Sequence, residues 1–291
     1  MLKVILLKYR MSKINTLNDP LITPNELKNK IPIDNEFEEF VNISRKVVEN
    51  ILNGKDKRKL IIVKPTNINN FQDVKQYGLK LQNIARQVQD KFFIIIQVYF
   101  KNTLDINNDL YGIRDLIYYL NKMGVPCGYD ILDTITYHYI SDLVSWCLIG
   151  SSPTESQIVS GLTMPVGFIN DNIEICTDAI NNSKIKNSFM DINDNGQLCI
   201  SNPNGNYDTQ IILNGTSNND PNDRTNNIQQ IKKICQHNNI VPKIIIDCSH
   251  NDSRNQQWVF KNVMKQINDG EKSIVGLMLE SSIIETLNNY N

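Results

Sequence analysis

Short runs of apolar, largely β-branched residues recur along the chain, separated by more polar stretches. They are LIIVKP (60–65), FFIIIQVYF (92–100), PCGYDIL (126–132), SWCLIG (145–150), MPVGFI (164–169), QIILNG (210–215), KIIIDCS (243–249) and SIVGLMLES (273–281). None alternates cleanly between polar and apolar, which suits strands buried on both faces, as in a parallel sheet. Between them, apolar residues recur at helical spacing over 71–90, 109–123, 134–144, 171–182, 224–238 and 254–268. Strand alternating with helix predicts a parallel α/β sheet. Eight such strands fit a closed (β/α)8 TIM barrel, and 291 residues are enough for one. A doubly wound open sheet is the competing architecture, but no GxGxxG follows the first strand to support dinucleotide binding.

Two stretches break the rhythm. Residues 188–208 carry Asp-Asn-Gly between two β-like runs, which predicts a β-hairpin inserted before the sixth barrel strand. Residues 214–227, NGTSNNDPNDRTNN, read as a long polar loop. Ahead of the barrel, 12–58 read as an extended arm and then a helix over 35–54, with Gly54 as its C-terminal stop. The expected organisation is an N-terminal arm and helix, 1–58, followed by the barrel, 59–291.

Charge and composition narrow the function. A formal net charge of −1 argues against nucleic acid or a membrane surface as the main partner. No segment approaches the ~18 apolar residues of a membrane span. The start, MLKVILLKYRMSK, has an apolar core of about four residues, short of the roughly 7–15 of a secretory signal. The six cysteines form no CxxC pair, and several lie within apolar runs as small core residues do. A reducing, cytoplasmic location is expected.

Several stretches together resemble one family, the type I 3-deoxy-D-arabino-heptulosonate 7-phosphate (DAHP) synthases. They are ILNGKDKRKLIIVKP, LDTIT with ISDLVSWCLIG, TESQ, SGLTMPVGF, IIDCSH and GEKSIVGLMLESSIIE, in the family's order across about residues 20–286. The resemblance implies a (β/α)8 barrel with an N-terminal arm and an inserted hairpin. It also implies an aldol-type transferase that condenses phosphoenolpyruvate with erythrose 4-phosphate in the shikimate pathway to aromatic amino acids. A divalent metal, manganese or similar, would be held by Cys, His, Glu and Asp, and would polarise a carbonyl or water. Arg and Lys would hold the two phosphates through charge-assisted bonds.

Carried over position by position, the resemblance implies a depleted site. His250 and Glu280 match the metal His and Glu. Thr66, in KPTN, stands where the family has the metal-binding Cys of Gly-Pro-Cys-Ser. Gln97 and Asn102 stand for the Arg and Lys of the second strand, with Lys101 adjacent. Ser152 replaces the Arg of the fourth strand, Ile169 the Lys of the fifth and Asn214 the Arg of the sixth. Asp130 stands for the Glu of the third strand, and the chain stops at Asn291 before the last metal Asp is expected. A charged hydrogen bond contributes about 1.5–3 kcal/mol. Losing several phosphate cations therefore costs on the order of 5–10 kcal/mol, roughly 10⁴-fold or more in binding.

The implied reading is a degenerate, C-terminally truncated family member with catalysis lost. The alternatives are a non-catalytic partner of an active paralogue, in a homo- or hetero-oligomer, and an enzyme with an altered substrate using His250, Glu280 and Asp130. His250 is then a rim histidine or a residual metal ligand. His138 and His237 are read as packing and helix-end residues, Asp133 and Glu155 as loop braces or acid/base groups, and the KDKRK run (55–59) as a solvated turn. With strand eight ending near Ser281, outward apolar groups such as Ile62 and Leu277 are expected to lose cover from a shortened outer layer.

Overall fold

The computed structural model describes residues 20–65, 71–99, 105–213, 221–248 and 256–280, with the backbone alone over 221–227. The barrel strands are β1 (Lys59–Lys64), β2 (Phe92–Tyr99), β3 (Cys127–Asp130), β4 (Trp146–Ile149), β5 (Val166–Ile169), β8 (Thr209–Leu213), β9 (Ile244–Asp247) and β10 (Ile274–Glu280). They close in the order β1-β10-β9-β8-β5-β4-β3-β2, and every pairing is parallel. The eight expected runs are thus the eight barrel strands, and the open sheet is excluded. The expected hairpin forms from β6 (Phe189–Ile192) and β7 (Leu198–Ser201), antiparallel, with Gly196 at φ +71 in the turn between them.

The helices are α1 (Pro24–Lys30), α2 (Asn35–Leu52), α3 (Phe71–Gln87), α4 (Ile106–Lys122), α5 (Pro153–Gly161), α6 (Ile173–Asn182), α7 (Pro221–His237) and α8 (Gln256–Asn268). Gly54 does follow α2 at φ +68, a conformation that suits glycine at a helix end. Four local expectations change. The arm is not wholly extended, because α1 starts on a Thr23–Glu26 capping box. The span 134–144 holds only a 3-10 turn, Thr136–Tyr139; Asp133 takes the backbone amides of Ile135 and Thr136 and fixes a tight bend instead. Helix α5 was hidden by its length and begins on a second capping box, Ser152–Glu155. Residues 221–227 are helical rather than loop; Pro221 occupies the first helical position, where its missing N–H costs nothing.

Two apolar clusters follow from strand alternation. Leu60, Ile62, Ile95, Trp146, Leu148, Ile212, Ile245 and Met278 fill the barrel interior. Val48, Ile51 and Leu52, from the end of α2, join them, so α2 packs against the interior at the barrel floor. Ile61, Val63, Ile94, Ile96 and Leu277 face outward into the layer shared with the helices. The expectation for Ile62 and Leu277 is therefore corrected. Ile62 points inward, one residue out of phase with the assumption, and both side chains are 0% exposed.

Arg114, in α4, ties the arm to the barrel. Its guanidinium is buried and donates to the Ile31 and Tyr139 carbonyls and, through two bonds of 2.8 Å, to Asp142. Replacing one partner leaves the others buried and unanswered. Arg114→Met is expected to lower stability by about 3–5 kcal/mol, read as a shift in the urea unfolding midpoint at unchanged slope. A loss below about 1 kcal/mol would mean this network carries no more than a surface ion pair.

Candidate functional site

In a closed parallel barrel, inward residues at the C-terminal strand ends form a ring open to solvent. Alternation carries the inward face of β1 from Leu60 and Ile62 to Lys64, and of β2 from Ile95 to Gln97. On β9 it runs from Ile245 to Asp247, and on β10 from Met278 to Glu280. Asp130 ends β3, in register with Tyr99. The register also sets Lys64 beside Glu280. The mouth therefore assembles Lys64, Gln97, Asp130, Asp247 and Glu280 from strands far apart in sequence.

Lys64 Nζ lies 3.0 Å from Asp247 Oδ2, whose side chain is 3% exposed. Burial pushes the Asp130 carboxyl above the ordinary aspartate range, and the nearby Lys64 ammonium acts in the opposite sense. Gln97 is buried, and its Oε1 has no hydrogen-bond partner among the described residues. The backbone N–H of Glu280 donates to Gln256 Oε1.

Of the residues expected in the site, Gln97, Asp130 and Glu280 come together here. Ile169 ends β5 and packs against the interior cluster as an aliphatic group. Ser152 serves as a helix cap. Its hydroxyl accepts from the Glu155 amide, while Glu155 Oε2 accepts from the Ser152 amide at 2.6 Å. Thr66, Lys101, Asn102, Asn214 and His250 lie outside the described residues. Asp133 braces its loop through Ile135 and Thr136. His138 reaches the hairpin, 2.8 Å from Asp191, and His237 ends α7. Lys64 and Asp247 were missed. The signal for Lys64 was present in KPTN, where a lysine stands at the glycine of Gly-Pro-Cys-Ser.

The comparisons with known proteins agree with this architecture. The family model described as DAHP synthetase I family matches residues 30–290. The chain belongs to that family. It is 32% identical over 294 residues to the Tyr-sensitive phospho-2-dehydro-3-deoxyheptonate aldolase of Escherichia coli (strain K12), covering 91% of this chain and 82% of that protein. It is equally 32% identical, over 298 residues, to the Trp-sensitive aldolase of Buchnera aphidicola subsp. Schizaphis graminum (strain Sg), covering 92% and 84%. A phospho-2-dehydro-3-deoxyheptonate aldolase structure from Francisella tularensis SCHU S4 superposes with a TM-score of 0.85 at 28% identity, over 91% of this chain and 86% of that one. No helix among the described residues is long and apolar enough to cross a membrane.

Among the described residues no three His, Cys, Asp or Glu side chains gather. An ammonium, Lys64, already sits against the Asp247 carboxylate. Lys64 faces three carboxylates, while the described arginines lie elsewhere: Arg45 binds the Ser141 and Val144 carbonyls, Arg58 pairs with Asp56, Arg86 ends α3, and Arg114 holds the arm.

Asp130 supplies a pH test. Its folded pKa is raised, so the native state holds this proton more tightly than the unfolded chain. The protonated form stabilises the fold below the ordinary aspartate pKa, and that advantage is lost as pH rises through the raised value. Asp130→Asn removes the penalty. The variant's stability relative to the parent is expected to grow between about pH 4 and pH 7 in urea titrations. An advantage that shrinks with pH would show that Lys64, rather than burial, governs this carboxyl.

Proposed function

We propose that this chain keeps the DAHP synthase barrel but has lost the family's condensation of phosphoenolpyruvate with erythrose 4-phosphate. The observation that carries this reading is the charge of the described mouth, where one ammonium faces three carboxylates and no arginine is present. Two phosphorylated substrates need several positive donors. Here Gln97 is a buried amide, Ile169 is aliphatic and Ser152 is spent as a helix cap. Asn102 and Asn214 supply no charge at their positions. Incubation with both substrates and manganese is expected to give no product. Turnover within about a hundredfold of ordinary enzymes, whose kcat is roughly 1–10³ s⁻¹, would overturn the reading.

Metal binding follows the same logic. Thr66 offers a hydroxyl where the family has a thiolate, leaving His250 and Glu280 as remnants. A working site normally has three or four protein ligands. Calorimetry with manganese is expected to find only weak binding, tightened at least tenfold in Thr66→Cys by the regained ligand. Submicromolar binding by the parent that disappears in His250→Ala would contradict this.

A second reading, a non-catalytic partner of an active paralogue or of further copies, is favoured by the hairpin. Met190, Leu198 and Ile200 are 90%, 88% and 70% exposed on it. Such an apolar face on a two-stranded ribbon suits burial against another chain.

A further inference from the structure

The barrel has a second concave surface at the opposite end. A cavity of about 990 Å³ opens at the floor, between the loops entering β1, β8, β9 and β10. It lies outside the mouth and shares no residue with it. Its inner wall is apolar, with Leu52, Ile180, Ile240, Ile267 and Val275 among its residues. Around this wall stand Lys57, Arg58, Lys59, Lys184, Lys243 and Lys272, against only two lining carboxylates, Asp56 and Glu271.

The carboxylates are engaged. Asp56 is bound by Arg58 at 2.6 Å, and Glu271 by Lys232 at 3.1 Å and by Ser273. Asp208, next to Thr209 in the chain, accepts from Asn53. Three partly buried lysines have no ion-pair partner among the described residues. Lys59 donates to the Ile274 carbonyl at 2.7 Å, Lys184 to Asn181 Oδ1 at 3.3 Å, and Lys243 to Asn53 Oδ1 at 2.9 Å. Each acceptor is neutral. Burial lowers the pKa of all three; Glu271 acts against this at Lys59 and Asp208 at Lys243, where Lys184 adds a smaller lowering effect, while at Lys184 burial acts alone. Thr209 lines the same cavity and is 5% exposed, with a hydroxyl that has no hydrogen-bond partner among the described residues. Cations held partly out of water without a direct ion pair, beside an apolar wall, are costly, and an anion bound against them relieves that cost.

We propose that the barrel floor binds a small organic dianion with an apolar body, its phosphate or dicarboxylate head held by Lys184 and Lys243 and its body against Leu52, Ile180 and Val275. Lys59 and the Thr209 hydroxyl lie on the same cavity as further donors. The size suits such a molecule, since small-molecule pockets run to roughly 300–1,000 Å³. Both parts of the ligand are needed: the wall offers nothing to a bare ion, and the lysines offer nothing to a neutral apolar molecule.

Calorimetry on the full chain tests this with phenyl phosphate, phenylsuccinate, inorganic phosphate and benzyl alcohol. One or both aromatic dianions should bind at least tenfold more tightly than either control, and the better of them identifies the head group. Lys184→Met and Lys243→Met should each weaken that binding at least tenfold. Lys64→Met, at the mouth, should leave it unchanged. Lysine acetylation of the unmodified protein, read by mass spectrometry, checks the location independently of any variant. The aromatic dianion should protect Lys184 and Lys243 but not Lys64. Equal affinity for inorganic phosphate, binding that survives both floor variants, protection at Lys64 alone, or no binding below the millimolar range would each overturn the proposal.

Discussion

The barrel is organised around Trp146. Its indole is fully buried inside the ring of strands, where a closed parallel sheet must be filled by side chains rather than solvent. Room for it comes from the neighbouring strands. A Cβ on Gly167 would lie 2.9 Å from Trp146 Cζ2 and 2.6 Å from Ile212 Cδ1, and one on Gly128 would lie 3.0 Å from Trp146 Cε3. Any larger residue at either glycine must displace the indole or the strand that carries it. Interiors at crystal-like density do not absorb such shifts freely. Ile62, Ile95, Leu148 and Met278 share one apolar cluster with this ring, and Val48, Ile51 and Leu52 of α2 join it from the floor.

From that packed middle the two ends of the barrel acquire different chemistry. Above it, alternation delivers Lys64, Gln97, Asp247 and Glu280 to the mouth because each lies two residues beyond an interior apolar group. Below it, Val48, Ile51 and Leu52 close the centre of the floor, while loop residues rich in lysine surround the cavity beside them. The scaffold supplies positions at both ends without specifying their charge. The proposed loss of the family's condensation therefore requires no change in the fold.

Ser152 shows how local structure fixes a role: it is the N-cap of α5, where with Glu155 it satisfies helix amides. A cap of this kind contributes about 1 kcal/mol. Gln97 is the reverse case. It keeps a polar group inside the barrel with an unsatisfied oxygen, which costs about 1–3 kcal/mol, and nothing in the described fold requires it.

The order and type of the barrel strands were legible from the chain, because strands buried on both faces must be apolar throughout, and the hairpin was legible from Asp-Asn-Gly. The departures at Thr66, Gln97, Ser152 and Ile169 that the resemblance implies are read one residue at a time against a motif. Short elements were not legible: α1, α5 and the 3-10 turn at 136–139 depend on local caps and on Asp133, which outweigh periodicity over so few residues. Nor did the chain reveal that Ile62 faces inward, because a strand apolar on both faces carries no mark of its phase. The Lys64–Asp247 pair joins residues 183 apart, and the floor cavity draws its lysines from loops between residues 57 and 272. Pattern determined which segments would form strands, and the resemblance to the family's motifs marked the positions that lack their charged groups. Only barrel closure, which brings distant strand ends and loops into one ring, decided which surviving charges would meet.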